Sequence, residues 1–426
     1  MKILWLTNTP CGSVRKYNNK TIAGGWLISL EDQLKRLHDL QLFVAYISPH
    51  KFNPPFSFEG VNYYPIHIPQ NRKKEFLYRI IRKQDLSSKH NDQLYLHKIS
   101  EIISEIKPDL IHVHGTENCF GLIQKLTKIP TVISIQGLLL PCTEKYFSGI
   151  PLVNAQKQES LTRIMRRVTY YDNFLFFKTT SKREKQILSE AQYIIGRTEW
   201  DKNITGLFNP KRKYFQGEEL LRNDFYNIEW KKKNSNDTYI ITTTMSNSLF
   251  KGYETLLKAA IHLTQAGFKF KWNVIGVDKN SELVQTTEKL LHKDSTNYHI
   301  NLLGRKSANE IITHLLESDL YCQVSHIENS PNSLCEAMLI GMPCIATNAG
   351  GTPSLLKDHE EGIIIQDGDS YSLAGNIIAI ADNKEKAIIY GGKARERAIY
   401  RHDKQRIAQQ YYNIYKTIIQ YHATNL

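Results

Sequence analysis

The chain has 426 residues, of which 41% are hydrophobic and 23% charged, a composition typical of globular proteins rather than disordered chains. This length suits two domains of roughly 200 residues each. The formal net charge of +13 favours an anionic partner, such as a phosphate-bearing ligand or a membrane surface. No helix-turn-helix, zinc-finger or RNP signature is visible, so we do not expect a nucleic-acid partner.

The six cysteines are scattered and form no C-x-x-C pair, which argues against a disulfide framework or a zinc site and suits a reducing cytoplasm. The first residues, MKILWLTNTP, predict a buried strand rather than a signal peptide, because Asn8 and Pro10 interrupt a short apolar run. No stretch approaches about 18 unbroken apolar residues, so we expect no transmembrane helix. The expected location is the cytoplasm.

The first half of the chain alternates short apolar runs with longer amphipathic segments. A helix is predicted from Trp26 to Leu37, because its leucines recur at intervals of three and four residues. The predicted strands of this half are KILWL (2–6), LFVAYI (42–47), LIHVHG (110–115) and TVISIQG (131–137).

The second half repeats this alternation after a polar and basic break, NIEWKKKNSND, at 227–237. Alternating strands and helices predict parallel sheets with right-handed crossovers, and therefore an α/β fold of two Rossmann-like domains at 1–226 and 235–404. A final helix at 405–426 is expected to return to the first domain. The predicted elements are a helix at 253–263 and the strands TYIITTT, FKWNVIG, INLLG, LYCQVS and PCIATN.

The loop SHIENSPNSLCEAM (325–338) follows one of these strands and leads into a helix predicted to begin near Ser333. Ser330 or Asn332 is expected to cap this helix, and Gly341 is expected to end it. In doubly wound sheets, ligands bind at the carboxyl ends of the strands. The free N–H groups and positive dipole end of such a helix suit a phosphate or a sugar hydroxyl.

Two carboxylates flank this loop. Glu328 can accept hydrogen bonds from sugar hydroxyls, and Glu336, one turn into the helix, can bind a ribose diol. On spacing alone the simpler interpretation is favoured, in which Glu336 complements the helix dipole and Glu328 is solvated.

The residues around the two glutamates favour the binding roles over this simpler interpretation. The run ENSPNSLCEAMLIGMPCIATNAGG (328–351) resembles the E-x7-E signature of family 4 glycosyltransferases, which have the GT-B fold. LFKGYETLLKAAIHL (249–263), INLLGRKSANEIITHLLESDLYCQVS (300–325) and PDLIHVHG (108–115) are similar to other family segments and occur in the expected order. The resemblance covers most of the chain and is strongest at 249–370. It implies two domains facing across a cleft and retaining transfer of a sugar from a nucleotide-diphosphate sugar, as in enzymes of capsule and surface-polysaccharide assembly.

The resemblance also implies roles for individual residues. Glu328 would bind the donor sugar, Glu336 the ribose and Lys251 the donor diphosphate, with Arg305 a second candidate for the diphosphate or the base. The remaining donor-binding candidates lie in glycine-rich or polar loops: Gly24, Gly25, Asn329, Ser330, Asn332 and Ser333.

The first half contributes His114 and Gln136 as candidate catalytic residues. His112 and His114 share one face of a strand, but a third metal ligand is missing. His114 at a strand end is expected to line the cleft, and a satisfied structural histidine fits equally well. Gln136 occupies a place where the family often has histidine, and can donate a hydrogen bond but cannot act as a base. Met245 lies near a place where the family usually has arginine, so the identity of the donor stays open.

No residue cluster requires a metal or another cofactor, and DGD at 367–369 is interpreted as a simple loop. The expected partners are a nucleotide-sugar donor and a saccharide or lipid-linked acceptor. Basic amphipathic segments at 71–83 and 161–168 suggest peripheral contact with the inner face of the cell membrane.

Three alternatives remain at this stage. The protein can be another GT-B enzyme, such as a nucleotide-sugar epimerase or a phosphorylase. It can also be a non-catalytic nucleotide-sugar-binding subunit or a membrane-binding scaffold.

Overall fold

The computed structural model describes residues 1–17, 25–49, 54–69, 77–78, 80–81, 84–231 and 237–424. The chain divides into two compact units. The first unit comprises Met1–Thr143, Phe174–Leu220 and His402–Leu426, and the second comprises Glu144–Asn173 and Leu221–Arg401.

Within the described residues, the first unit contains an eight-stranded sheet of order β3-β4-β2-β1-β5-β6-β7-β8, parallel except for the β3–β4 pair. The predicted strands of the first half are confirmed, because each is an apolar run long enough to cross a buried sheet. The strands are β1 (Lys2–Thr7), β2 (Gln41–Ile47), β3 (Phe56–Phe58), β4 (Val61–Ile66), β5 (Leu110–His114), β6 (Thr131–Ser134), β7 (Tyr193–Gly196) and β8 (Lys213–Gln216).

In the described part of the second unit, six parallel strands form a sheet of order β11-β10-β9-β12-β13-β14. The five strands predicted for this half are confirmed, and β9 and β12 are neighbours at the centre of the sheet. The strands are β9 (Tyr239–Thr244), β10 (Phe270–Ile275), β11 (Ile300–Gly304), β12 (Leu320–Gln323), β13 (Cys344–Thr347) and β14 (Ile363–Ile365).

Helices alternate with these strands, so both units are α/β layers built on parallel sheets. None of the helices within the described ranges combines the length and the apolar content that a bilayer crossing requires. The helices are α1 (Gly25–Leu34), α2 (Gln84–Ile106), α3 (Leu139–Glu144), α4 (Leu152–Lys157), α5 (Leu161–Arg166), α6 (Tyr170–Glu190), α7 (Glu199–Phe208), α8 (Tyr253–Gln265), α9 (Glu282–Leu291), α10 (Ala308–Glu317), α11 (Asn332–Ile340), α12 (Ser370–Asp382), α13 (Lys384–Arg401) and α14 (Lys404–Thr424).

The last helix, α14, belongs to the first unit. Its Tyr411, Tyr415 and Ile418 are fully buried in the same core cluster as Trp5. The hydroxyl of Tyr415 accepts a hydrogen bond from the indole N–H of Trp5 at 3.1 Å and lies 2.7 Å from Nδ1 of His112. These buried polar contacts fix the position of the helix on the sheet.

Residues 144–173 differ from the predicted division, which placed them in a first domain of 1–226. They pack with the second unit, where the hydroxyl of Tyr170 lies 3.1 Å from that of Thr286 and the ring of Tyr146 contacts that of Phe250. Arg163 also forms an ion pair with Glu282. The prediction follows chain order, whereas the aromatic side chains of Tyr146 and Tyr170 contact residues of the second unit.

Two predicted helix boundaries also differ. Helix α1 ends at Leu34 rather than Leu37, since the N–H groups of Arg36 and Leu37 donate to carbonyls only three residues back. Helix α11 begins at Asn332 with Pro331 at the N-cap position, so the prediction that Ser330 or Asn332 is the N-cap residue is wrong.

Gly341 ends α11 as predicted. Its φ of +90° lies in the left-handed region, where the absence of a side chain removes the steric cost.

Candidate functional site

The carboxyl ends of β9 and β12 bring Lys251 and Glu328 together in the second unit. Lys251 ends a 3-10 turn, Leu249–Lys251, and its ammonium donates to Oε1 of Glu328 at 2.5 Å. The same oxygen accepts a hydrogen bond from Ser325 at 2.8 Å. Both side chains of the ion pair remain partly accessible, at 20% for Lys251 and 14% for Glu328. The pair therefore combines defined geometry with access to a ligand.

Gly252 allows the two loops to approach each other. It has a φ of +75°, and a Cβ on this residue would lie 1.9 Å from the carbonyl oxygen of Val324. The backbone N–H of His326 also donates to the carbonyl of Phe250 at 2.8 Å. This direct contact between backbones holds Lys251 beside Glu328.

The loop after β13 supports Glu328 from another side, since the N–H of Gly351 donates to the Glu328 carbonyl at 2.9 Å. Asn329 and Ser330 are buried, at 5% and 8% exposure, whereas Asn332 and Ser333 at the start of α11 are partly exposed. In the first turn, the N–H groups of Leu334 and Cys335 donate to the Pro331 carbonyl. The helix start therefore lies directly beside Glu328, with its positive dipole end toward the loop.

Glu336 lies on α11 and is only 3% exposed. Both of its carboxylate oxygens accept hydrogen bonds from Arg222, one from Nε and one from an Nη, each at 2.6 Å. Burial raises the pKa of the Glu336 carboxyl, and the hydrogen bonds and charge of Arg222 act against that rise. A bidentate guanidinium of this kind favours the ionised form of a carboxylate and orients it.

Arg222 was not singled out from the sequence. It lies in the second unit, whereas the predicted domain boundary placed it in the first. Its partner stands 114 positions further along the chain, and no local pattern marks such a pair. Burial of the adjacent Leu221 and Phe225 is the physical reason that it reaches α11, since both belong to the core cluster that includes that helix.

His326 was also missed as part of this site. Its Nε2 lies 2.7 Å from Oε1 of Glu254, on the first turn of α8, and its Nδ1 lies 3.3 Å from Asp367. Burial acts to lower the pKa of His326, but the contacts with Glu254 and Asp367 outweigh it and raise that pKa. The histidine thus joins the Glu328 loop to the helix that follows Lys251.

The DGD segment has structural roles consistent with the predicted loop. Asp367 contacts His326, and Asp369 caps α12 by accepting a hydrogen bond from the N–H of Ser372 at 2.9 Å.

Arg305 is exposed and follows β11 at the sheet edge, two strands from β9. No contact is described between Arg305 and the Lys251–Glu328 pair. Gly25 begins α1 in the first unit, and Gly24 lies outside the described residues, as do residues 71–76, 79, 82 and 83 of the basic segment 71–83.

The candidate catalytic residues of the first unit lie in different surroundings. His114 is 1% exposed, and its ring packs against Trp5, Trp26 and His112 with centroid distances of 4.4, 5.8 and 3.8 Å. Burial, with the charge of nearby Arg197, keeps the pKa of His114 well below its usual range. Gln136 is half-buried, two residues after the end of β6.

His112 is a satisfied structural histidine. It is fully buried, and its two nitrogens lie 2.7 Å from the Tyr415 hydroxyl and 2.6 Å from the Ser134 hydroxyl. Burial lowers the pKa of His112 to about 3.

Comparison with known proteins places this geometry in context. Residues 226–397 match the family model described as glycosyl transferases group 1. The chain is 30% identical to N-acetyl-alpha-D-glucosaminyl L-malate synthase of Bacillus anthracis over 29% of its own length and 33% of that protein. It is 24% identical to the amylovoran biosynthesis glycosyltransferase AmsK of Erwinia amylovora over 32% and 35%. The chain thus spans about a third of the length of these relatives.

Similarity of fold extends further than similarity of sequence. Anabaena HepE, solved in complex with UDP-glucose, superposes with a TM-score of 0.60 at 17% identity, over 98% of this chain and 99% of that one.

Proposed function

We propose that this protein transfers a sugar from a nucleotide-diphosphate sugar to an acceptor hydroxyl. Residues 226–397 match the group 1 glycosyl transferases, and the similarity of fold to HepE supports a GT-B fold. The observation that carries the proposal is the Lys251–Glu328 pair beside the start of α11. A cation, a carboxylate and a helix N-terminus in one place suit a diphosphate joined to a sugar.

In this proposal, Lys251 exchanges its contact with Glu328 for the diphosphate when the donor binds. The freed carboxylate then accepts hydrogen bonds from the sugar hydroxyls. As the glycosidic bond breaks, negative charge develops on the leaving diphosphate, and Lys251 and the helix N-terminus stabilise it. Arg305 is proposed as an additional contact to the diphosphate or the base.

We further propose that transfer retains the anomeric configuration and needs no metal. The support for retention is the resemblance to family 4 enzymes, and Lys251 with the helix dipole supplies positive charge that a metal would otherwise provide. His114 and Gln136 are proposed as contacts in the first unit. For His114, a contact would require its buried ring to become accessible.

Binding of nucleotides provides the first test. Because a ligand that binds only the folded state raises the apparent melting temperature, we expect one nucleoside diphosphate among UDP, GDP and ADP to stabilise the protein by about 3–4 kcal/mol at 100–1,000 times its Kd. Thermal shift with and without EDTA measures this effect, and we expect no difference between the two conditions.

An assay of diphosphate release distinguishes the possible classes of reaction. Incubation with the matching nucleotide sugars should release the diphosphate only when an acceptor is added, whereas an epimerase would interconvert the nucleotide sugar without an acceptor and a phosphorylase would require inorganic phosphate. If none of UDP, GDP and ADP stabilised the protein in the thermal-shift measurement, that result would contradict the proposed function.

The acceptor is proposed to be a lipid-linked saccharide of surface-polysaccharide assembly, presented at an anionic membrane. Helix α5 exposes Leu161 and Met165, at 72% and 66%, with the exposed Arg166 beside them. Val153 on α4 is also 60% exposed. Apolar side chains next to cationic ones suit the interface of an anionic bilayer.

Vesicle sedimentation tests this surface. We expect the protein to bind vesicles that contain anionic lipid more strongly than neutral ones, and a Leu161→Ser/Met165→Ser variant to lose several-fold in binding. Leu207→Ser, which alters a similarly exposed leucine of α7, is the matched control. Equal binding by the double variant and the control would contradict this proposal.

A further inference from the structure

An open groove in the first unit runs between strand β8 and helix α14. It has a volume of about 590 Å³. Because β8 is an edge strand of the described sheet, the groove lies at the rim of that sheet, and both of its walls belong to the first unit. Five of the side chains that line the groove are amides or hydroxyls: Gln216, Gln409, Gln410, Asn413 and Thr417.

The polar side chains of α14 form a stripe along this groove. Gln409, Asn413 and Thr417 stand four residues apart and Gln410 lies beside them, so all four share one face of the helix. Arg406 lies one turn before this stripe, and the helix rises about 16 Å from 406 to 417. A groove of this length accommodates several linked sugar units rather than a single small molecule.

The amides of the groove keep donors and acceptors for a ligand. The side-chain amide of Gln409 donates to Oδ1 of Asn413 at 3.0 Å, and that of Gln410 donates to the Gln216 carbonyl at 2.7 Å. A carboxamide has two N–H donors and an acceptor oxygen, so each of these contacts uses only part of its capacity. Oε1 of Gln410 is buried and has no hydrogen-bond partner among the described residues. A hydroxyl both donates and accepts, so a row of such amides complements a polyol.

The charge of the groove excludes other classes of ligand. Of the described residues that line it, only Arg406 is charged, and one of its Nη atoms lies 3.6 Å from Oε2 of Glu218. A metal ion would need carboxylate ligands, and a phosphate would need cations that no carboxylate neutralises. Phe215, half-buried on β8, adds the apolar surface that a sugar ring needs for its C–H face. An uncharged ligand rich in hydroxyls fits this lining.

The edge strand itself is protected from a peptide partner. An extended peptide that added a strand to β8 would need the backbone groups on the open side of that strand. The side chain of Gln410 already occupies the Gln216 carbonyl from α14. The groove therefore favours a ligand that binds to side chains over one that extends the sheet.

We infer that this groove binds a neutral oligosaccharide. The site is additional to the donor residues Lys251 and Glu328, which belong to the second unit. The inference rests on the proposed function in one respect, because that function supplies a saccharide chain as the natural ligand. A groove that holds part of such a chain would keep the enzyme on its acceptor.

Binding of defined oligosaccharides tests this inference. The probes are maltoheptaose, cellohexaose and chitohexaose, titrated into the whole chain without nucleotide and followed by ligand-observed NMR. We expect at least one of them to bind, and the variant Gln409→Leu/Asn413→Leu to bind it about 10-fold more weakly, because leucine fills a similar volume without forming hydrogen bonds.

Both substituted side chains are exposed, so the double variant should fold, and its melting temperature checks this. Gln265→Leu, which alters an exposed amide at the end of α8, is the matched control and should keep the wild-type affinity. Absence of binding by all three oligosaccharides, or equal affinity in the wild type and the double variant, would overturn the inference.

The proposed function and this inference fail separately. If an oligosaccharide binds in the groove but none of UDP, GDP and ADP stabilises the protein, the proposed function is wrong and the saccharide site stands. If a diphosphate binds but none of the oligosaccharides does, only the inference is overturned.

Discussion

Replacing Glu328 with glutamine is expected to lower the rate of sugar transfer by about 10²–10³-fold, the loss typical of removing one preorganised electrostatic group from an active site. The sugar acquires positive charge as its bond to the leaving diphosphate breaks, and an ionised carboxylate beside it stabilises that charge. Glutamine has the same shape and can still accept the hydrogen bonds from Ser325 and Lys251. The substitution therefore removes the charge and leaves the geometry.

The affinity for the nucleoside diphosphate should change much less, because Glu328 is assigned to the sugar. Measuring kcat at saturating donor, together with the Kd for the diphosphate, separates the two effects. Glu317→Gln, at an exposed glutamate near the end of α10, is the matched control and should keep wild-type turnover. Turnover within threefold of wild type in Glu328→Gln would refute the assigned role.

Replacing Lys251 with methionine should weaken binding of the diphosphate by about 10–100-fold, the amount expected for a hydrogen bond to a charged group worth about 1.5–3 kcal/mol. The side chain is 20% exposed, so solvent screens this charge less than that of a fully exposed lysine. Methionine keeps most of the apolar stem. The loss should concern the phosphates alone, so the affinity for the nucleoside without phosphates should stay unchanged.

The control for this change is Lys289→Met, since Lys289 lies exposed on α9. The double variant Lys251→Met/Glu328→Gln adds information because the two residues are in contact. When the losses of turnover are expressed as free energies, we expect the loss in the double variant to be smaller than the sum of the losses in the two single variants. Equal loss of nucleoside and diphosphate affinity in Lys251→Met would mean that the substitution disturbs the site rather than removing a phosphate contact.

Features of this protein that depend on residues close together in the chain could be predicted from the sequence. Strands such as 2–7 and 41–47 are largely apolar runs whose length suits a buried parallel sheet, and the glycine at 341 ends its helix through backbone freedom alone. The carboxylates at 328 and 336 could be predicted as site residues because the E-x7-E spacing and its flanking motifs lie within one short segment.

The contacts between side chains far apart in the chain could be identified only from the folded structure. Lys251 and Glu328 are separated by 77 positions, and Arg222 and Glu336 by 114, so no periodicity relates them. The strand order places β9 beside β12. Leu221 and Phe225 pack in the core cluster that includes α11, and this packing places Arg222 beside that helix. Burial is likewise a property of the folded chain, which is why His114, at a strand end predicted to line a cleft, lies among three aromatic rings.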